Sequence, residues 1–326
     1  MRRIATDAYA HVGEPRFGSV RQLLRSMDVH GIERSVAVLG PRVPDLGAIA
    51  EAAAHPGRLR TVGIPFGDTP ERRSEAVRAQ LDLGAIGIRF EYGEAFACER
   101  ALAEVGRRGR WAYAIDACRD QEIASLYLTW LKNYPDARIA APHFMYAKFD
   151  ASDPARTGGA VAELMGHPRF YGIFVRNLGM CGSADPHAEY RDWIAFALAG
   201  CGPERLLWGS EYPVLFWRNE RIDAALGLFR ELLSDVDDEA YAFVAHGNAD
   251  RLFFADPPPS PIPVEPPEWI ERTFMRERPV PLFPKGWELS KGDYGLLLEA
   301  YLSSPEFESG RSMSEFLLER AAGPRR

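Results

Sequence analysis

Residues 111–141 read WAYAIDACRDQEIASLYLTWLKNYPDARIAA and combine two short apolar runs with a longer segment of different hydrophobic period. The runs at 111–115 and 138–141 predict strands, because short apolar runs bounded by turn residues are typical of buried strands. Between them, DQEIASLYLTWLKNY places apolar residues three and four positions apart, which predicts an amphipathic helix. A strand, a helix and a second strand in this order build parallel sheets.

The same alternation extends from residue 3 to about residue 254, so we predict an α/β fold, specifically a (β/α)8 TIM barrel. Eight strands in roughly 250 residues match the usual size of this barrel. We found no GxGxxG or Walker motif, which argues against a nucleotide-binding doubly wound sheet. The predicted strands are 4–10, 34–39, 60–64, 85–90, 111–115, 138–141, 170–175 and 205–208.

The composition changes after Phe254, so we divide the chain into a barrel over 1–255 and an extension over 256–326. The segment DPPPSPIPVEPPEW has seven prolines in fourteen residues, which excludes a continuous helix or a central strand. Beyond this connector, SKGDYGLLLEAYLSS and SMSEFLLERAA predict two short amphipathic helices, too small to hold a core alone. We expect them to pack on the barrel or on a second copy, which makes a homodimer through the extension one hypothesis.

Charge and hydropathy argue against two classes of partner. The 39 basic and 46 acidic residues give a net charge of −7 and form no basic stripe, so nucleic acid is not an expected partner. No apolar run reaches the roughly 18 residues of a membrane span, so we expect no membrane association and a cytoplasmic location. The four cysteines form no CxxC pair, which favours reduced thiols over disulfides or a zinc knuckle.

The candidate site consists of polar residues at the C-terminal ends of the predicted strands, where the catalytic groups of parallel barrels project. Two alternatives stay open at this point: Asp116 either joins the site or caps the following helix, and Arg89 either binds substrate or pairs with a neighbouring carboxylate. The candidate residues are Tyr9, His11, Arg89, Asp116, His143, Arg176 and Glu211, with Tyr212 beside the last.

Six segments in this order resemble the landmarks of the amidohydrolase-related family. They are TDAYAHVG (6–13), GAIGIRF (84–90), WAYAID (111–116), PDARIAAPHF (135–144), RLLWGSEYP (205–213) and GNADRLFF (247–254). The family includes metal-dependent hydrolases, decarboxylases similar to aminocarboxymuconate-semialdehyde decarboxylase, and metal-free lactonases similar to pyrone-dicarboxylate lactonase. The resemblance covers residues 3–254 and implies the TIM barrel.

The resemblance also shows where this chain departs from the family pattern. The family typically opens with HxH or ExH, whose two side chains reach one metal ion, and here the first position is Tyr9 and the second His11. Asp116 stands where the family has its next histidine ligand, and Glu211 replaces the aspartate of the family's GSDYP. We therefore favour no cofactor. If zinc, manganese or iron binds, the expected ligands are His11, Asp116 and Glu211.

What the resemblance implies for function is an atypical hydrolase of a small lactone, cyclic amide or related organic acid, carboxylate-bearing or aromatic. In this hypothesis Glu211 or Asp116 activates water, and His11 and His143 hold the reacting oxygen, with Tyr9 as a further catalytic group. The substrate-binding residues would be Arg89, Arg176 and Tyr212. Two alternatives remain: a decarboxylase or other lyase, and a non-catalytic barrel that serves as a binding or partner subunit.

Overall fold

The computed structural model describes residues 6–146, 158–175, 186–263, 265, 267–271, 280–282, 287–289 and 291–321, so the candidate Arg176 lies outside the described residues. Eight parallel strands lie side by side in chain order, which confirms the predicted α/β barrel. Their ends differ from the sequence-based ranges by at most two residues. The strands are β1 (Thr6–Val12), β2 (Arg34–Leu39), β3 (Leu59–Gly63), β4 (Gly87–Phe90), β5 (Trp111–Ala114), β6 (Arg138–Ala141), β7 (Phe170–Phe174) and β8 (Leu206–Trp208).

The barrel closes through the residues that follow β8. The backbone N–H of Glu211 donates to the carbonyl oxygen of Tyr9 at 2.8 Å, and the N–H of His11 donates to the carbonyl oxygen of Tyr212. These two bonds join β1 to the segment after β8 at the C-terminal end of the barrel, which we call the mouth. The first and last landmarks of the sequence therefore meet.

Helices follow the strands and pack on the outside of the barrel. Their ends obey local rules: Ser19 and Gln22 form a capping box before α1, and Gly31 ends that helix in the left-handed conformation at φ 69°. The helices of the barrel region are α1 (Val20–His30), α2 (Leu46–Ala53), α3 (Pro70–Asp82), α4 (Glu94–Ala97), α5 (Glu99–Arg107), α6 (Gln121–Asn133), α7 (Gly159–Gly166), α8 (Pro186–Cys201), α9 (Val214–Trp217), α10 (Ile222–Leu232), α11 (Asp238–Ala242) and α12 (Asn248–Phe253). Among the described residues, no helix is both long and apolar enough to cross a bilayer.

The start of α6 corrects one of the two interpretations of Asp116. The carboxylate of Asp120 accepts the backbone N–H of Ile123 at 2.9 Å and caps this helix. Asp116 lies four positions earlier and makes a different contact, described below. The helix-cap interpretation of Asp116 is therefore wrong.

The extension contains α13 (Glu268–Glu271), the short hairpin β9 (Val280–Leu282) and β10 (Trp287–Leu289), and helices α14 (Lys291–Leu302), α15 (Pro305–Glu308) and α16 (Met313–Ala321). Its proline-rich connector lies along α3: the N–H of Ile262 donates to the carbonyl oxygen of Asp82 at 2.7 Å, and the indole N–H of Trp269 donates to Glu75 at 2.8 Å.

The later helices of the extension cover α1 and α9 of the same chain. The ring of Tyr294 lies 4.5 Å from that of Trp217, and the ring of Tyr301 lies 5.3 Å from that of Phe216. The described part of the extension thus packs on its own barrel, the first of the two arrangements expected from the sequence. A homodimer stays a prediction.

Candidate active site

The middle of β1 is irregular at the position of Tyr9, the first residue of the candidate site. The register between β1 and β2 shifts between Asp7 and Ala10, which marks a β-bulge. The buried carboxylate of Asp7 accepts the N–H of Tyr9 at 2.9 Å and the N–H and hydroxyl of Ser210 at 3.0 and 2.6 Å. Burial raises the pKa of Asp7, and these donors partly oppose the shift. Asp7 therefore fixes β1 to the segment that carries Glu211.

A series of side-chain contacts crosses the mouth from β4 to the turn after α9, and we call it the mouth network. Its first half begins at Arg89, whose Nη1 donates to the carboxylate of Glu91 at 2.7 Å. Nε of Arg89 donates to the hydroxyl oxygen of Tyr9, also at 2.7 Å. The same hydroxyl oxygen lies 3.5 Å from Nε2 of His143. Arg89 thus both pairs with a carboxylate and orients a candidate catalytic phenol.

The second half of the network runs from the imidazole to the turn after α9. Nδ1 of His143 lies 3.7 Å from Oε1 of Glu211. The other oxygen of Glu211 accepts from Nη1 of Arg218 at 2.6 Å. Arg218 also donates to both oxygens of Glu220, at 2.6 and 3.2 Å. The imidazole of His143 therefore lies between a phenol held by one arginine and a carboxylate held by another.

The backbone at two network residues is strained. His143 has φ 56° and Glu211 has φ 57°, a region in which residues other than glycine pay on the order of 1 kcal/mol or more. Just before Glu211, a Cβ at Gly209 would lie 2.6 Å from Cβ of Tyr9, so only glycine permits this approach of the chain to β1. Such strain persists where surrounding contacts hold it, and it is concentrated at functional sites.

His11 lies beside the network and is uncharged. Its Nδ1 is 3.2 Å from the carbonyl oxygen of Val38, and because a carbonyl only accepts, Nδ1 carries the proton. Burial lowers the pKa of His11 to about 3, and the charge of Arg89 acts in the same direction. Its ring edge meets the ring of Tyr9 with 4.9 Å between centroids. His11 therefore supports Tyr9 as a neutral imidazole.

Burial also sets the protonation states of the phenol and its arginine. It raises the pKa of Tyr9, against the opposing charge of Arg89, so the phenol keeps its proton at neutral pH. Burial alone would lower the pKa of Arg89, but the neighbouring Tyr9 and Glu91 outweigh it and the net shift is upward. Because the hydroxyl oxygen of Tyr9 accepts from Arg89, its own proton stays available for donation.

Three candidates from the sequence are not joined to this network by any described contact. Oδ2 of Asp116 accepts the N–H of Gly93 at 2.7 Å, and burial raises its pKa. Tyr212 is buried and packs edge-on against Phe216, with 5.7 Å between the ring centroids. Arg176 lies outside the described residues.

A cavity of about 640 Å³ opens beside the Arg89 end of the network, at the ends of β2, β3 and β4. Glu91 lines this cavity and also pairs with Arg89, which in turn bonds to Tyr9. The Arg89–Glu91 pair therefore lies between the cavity and Tyr9. The volume is that of a small-molecule site. Its walls are formed by Pro41, Arg42, Ile64, Pro65, Arg73, Glu91, Tyr92, Gly93, Glu94 and Ala97.

The donor set does not fit the metal centre that the resemblance implies. Within the described ranges, no three His, Cys, Asp or Glu side chains are arranged to hold a metal ion, so His11, Asp116 and Glu211 do not form a ligand set. The buried guanidinium of Arg89 bonds directly to Tyr9, and a second cation there would be repelled.

Sequence reasoning missed four residues of this site. Asp7 lies two positions before Tyr9 in an apolar strand. A carboxylate in a buried strand is unusual, so the sequence alone could have indicated this residue. Glu91, Arg218 and Glu220 carry no such signal, because their pairing depends on how the chain turns after β4 and α9.

Comparison with known proteins defines the class. The sequence profile of the amidohydrolase family matches residues 4–255, so the chain belongs to this family. The match ends where the extension begins. No curated protein matches the chain.

Several solved structures share the fold at low sequence identity. An amidohydrolase from Burkholderia multivorans with bound HEPES is 17% identical with a TM-score of 0.60, covering 77% of this chain and 99% of that one. A probable 2-pyrone-4,6-dicarboxylic acid hydrolase from Acinetobacter baumannii with bound citric acid is 13% identical, with a TM-score of 0.61 and the same coverage. The 2,6-dihydroxybenzoate decarboxylase from Rhizobium is 16% identical, with a TM-score of 0.53, covering 77% of this chain and 98% of that one. The Burkholderia protein is also known with bound zinc.

Proposed function

We propose that this protein is a hydrolase that opens a small lactone, cyclic amide or related organic acid, with His143 and Glu211 as its acid–base pair. The observation that carries the proposal is the position of His143, 3.7 Å from the Glu211 carboxylate and 3.5 Å from the Tyr9 hydroxyl. A carboxylate beside an imidazole, which in turn faces a hydroxyl, is a recurrent arrangement for acid–base catalysis.

In the hydrolysis of a lactone, each of these residues has a separate role. Nε2 of His143 removes a proton from water as the water oxygen bonds to the carbonyl carbon, and Glu211 stabilises the imidazolium that forms. The hydroxyl of Tyr9, polarised by Arg89, donates to the developing oxyanion. The bond from the carbonyl carbon to the ring oxygen then breaks, and this oxygen takes the proton from His143. The products are a carboxylic acid and an alcohol.

The carboxylate partner of the imidazole is assigned to Glu211 rather than to Asp116, because Asp116 has its carboxylate on the N–H of Gly93 and no described contact with His143. Arg89 is already bonded to Tyr9 and Glu91, so in this proposal it orients the phenol. Arg176 stays a candidate for substrate binding.

The test is Glu211→Gln, assayed on a panel of small lactones and cyclic amides that carry a carboxylate. We expect turnover to fall by about 10²- to 10⁴-fold, because the amide cannot stabilise an imidazolium. Glu71→Gln is the matched control, since Glu71 is exposed and pairs with Arg100 on the surface. Unchanged kcat in Glu211→Gln on a true substrate contradicts the assignment.

We also propose that the reaction needs no bound metal, because each of the three expected ligands already has another partner. Glu211 accepts from Arg218, Asp116 accepts from the N–H of Gly93, and Nδ1 of His11 donates to the carbonyl oxygen of Val38. Dialysis against a strong chelator should leave kcat unchanged, and elemental analysis should find far less than one equivalent of zinc, manganese or iron. Loss of activity on chelation, restored by one of these metals, would contradict the proposal.

A lyase is the second candidate, because the fold is shared with a 2,6-dihydroxybenzoate decarboxylase. Turnover in ¹⁸O-labelled water separates the two reactions. Hydrolysis places the label in the product carboxylate, whereas decarboxylation releases carbon dioxide and leaves the organic product unlabelled. A barrel that only binds ligand would neither hydrolyse a member of the lactone and cyclic-amide panel nor release carbon dioxide from an aromatic acid.

A further inference from the structure

The cavity at the ends of β2, β3 and β4 holds two cationic side chains that the reaction does not use. Arg42 has φ 61°, a strained conformation for a residue other than glycine, and makes no ion pair with any described residue. Arg73 donates through Nε to the carbonyl oxygen of Gly67 at 3.0 Å and through Nη1 to the sulfur of Cys98 at 3.2 Å. Neither contact neutralises the guanidinium, because burial raises the pKa of Cys98 and keeps the thiol protonated.

The carboxylates of the same cavity are already engaged. Glu91 pairs with Arg89, and Oε2 of Glu94 accepts the backbone N–H of Glu91 at 2.9 Å. Burial raises the pKa of Glu94, and the charges of Arg73 and Arg89 oppose this shift. With Arg89 paired to Glu91, three arginines and two carboxylates meet at this cavity, which leaves one net positive charge and favours an anionic ligand.

The remaining walls determine the shape and chemistry of the ligand. Pro41, Ile64 and Pro65 present apolar surface, and Tyr92 adds a half-exposed aromatic ring. A flat or cyclic apolar group with a carboxylate matches this combination, since small-molecule sites pair an apolar lining with a few charged groups. Arginine is suited to carboxylates because its guanidinium donates two parallel hydrogen bonds.

We infer that this cavity binds the carboxylate-bearing ring of a small organic acid, with Arg42 and Arg73 as its anion-binding residues. The inference that the bound acid is the substrate rests on the proposed function, whereas the binding itself does not. A ring held here lies against Glu91, so as a substrate it reaches Tyr9 only when the Arg89–Glu91 pair opens.

The experiment is calorimetric titration of the full-length protein with benzoate, and with benzamide as a neutral molecule of the same shape. We expect benzoate to bind with a Kd below about 10 mM and to bind at least about tenfold more tightly than benzamide, a difference of roughly 1.4 kcal/mol. Arg73→Gln and Arg42→Ala should each weaken benzoate at least tenfold and leave benzamide unchanged.

Arg72→Gln is the matched control for Arg73→Gln. The two residues are neighbours on α3, but Arg72 pairs with Asp68 at 2.9 Å and lies over the ring of Trp269, outside the cavity. Benzoate affinity unchanged in both cavity variants overturns the inference, as does equal weakening in Arg72→Gln or no binding of benzoate at all.

The two proposals fail in different ways. Selective benzoate binding without turnover of any lactone, amide or acid leaves the cavity assignment intact and removes the proposed reaction. If turnover is lost in Glu211→Gln but the Arg42 and Arg73 variants keep their KM and benzoate affinity, the proposed reaction is supported. The cavity assignment is then wrong.

Discussion

The two sides of the mouth contain the same chemical groups in different surroundings. On the β4 side, Arg89 pairs with Glu91, whose side chain is 33% exposed and lines the cavity. On the β8 side, Arg218 pairs with Glu211 and Glu220, whose side chains are 5% and 6% exposed. An ion pair that water reaches can exchange its partner for a ligand, whereas a buried one holds its geometry and is costly to break.

The extension is the reason that the β8 side is closed. Trp217 and Phe216 of α9, between Glu211 and Arg218 in the chain, pack against Tyr294 and Tyr301 of the extension. The carbonyl oxygen of the Asn219 side chain accepts the N–H of Ser314 at 3.1 Å. The β4 side has no comparable cover among the described residues and keeps its cavity.

Arg218→Met should show the largest effect, because it leaves the carboxylates of Glu211 and Glu220 buried without their cation. We expect the free energy of unfolding to fall by about 3–5 kcal/mol, measured by urea denaturation. Arg221→Met is the matched control: Arg221 pairs with Asp223 on the surface, and its loss should cost less than about 1 kcal/mol. Equal losses would remove the distinction between the two kinds of pair.

The pH dependence of stability should show the next effect, through His11. Its pKa is about 3 in the folded protein, against an ordinary histidine value of 6.5, so the unfolded chain binds a proton that the folded one excludes. The stability contributed by neutral His11 is complete above pH 6.5 and is lost as the pH falls toward 3, by up to about 1.4 kcal/mol per pH unit.

His11→Asn removes this titration, and its amide can still donate to the carbonyl oxygen of Val38. Urea denaturation between pH 4 and pH 6.5 should therefore give a shallower fall of stability with acid than the unaltered protein shows. Identical slopes would mean that His11 is protonated in the fold.

Glu91→Gln should have the smallest effect on stability, about 1 kcal/mol or less, because the pair is partly solvated and the amide oxygen still accepts from Arg89. The same change removes a negative charge from the cavity wall, so benzoate should bind more tightly. A loss as large as that in Arg218→Met would show that the two sides of the mouth are energetically alike.

Much of the fold and part of the site were accessible from the sequence. Apolar runs between turn residues located all eight strands, because a strand that is buried on both faces is apolar along its length regardless of the loops that follow it. Tyr9, His11, Arg89, His143 and Glu211 meet at one end of the barrel, as expected of residues at strand ends.

The rest depended on backbone paths that no local pattern specifies. Asp116 turns to the N–H of Gly93, a contact set by the loop after β4, and Tyr212 packs against Phe216 of α9. Arg218 reaches Glu211 across one turn of α9. Arg42 lines the cavity because its backbone is left-handed, a conformation that no sequence motif predicts here.

The connector that lies along α3 and continues into helices over α9 has a consequence for how this chain is divided. The family's shared region stops at residue 255, yet the aromatic rings that cover the segment between Glu211 and Arg218 come from residues near 300. Truncating the chain at residue 255 would remove those rings from α9 and expose the ion pairs of Arg218 with Glu211 and Glu220 to water. We therefore expect a fragment that ends at residue 255 to be less stable than the whole chain.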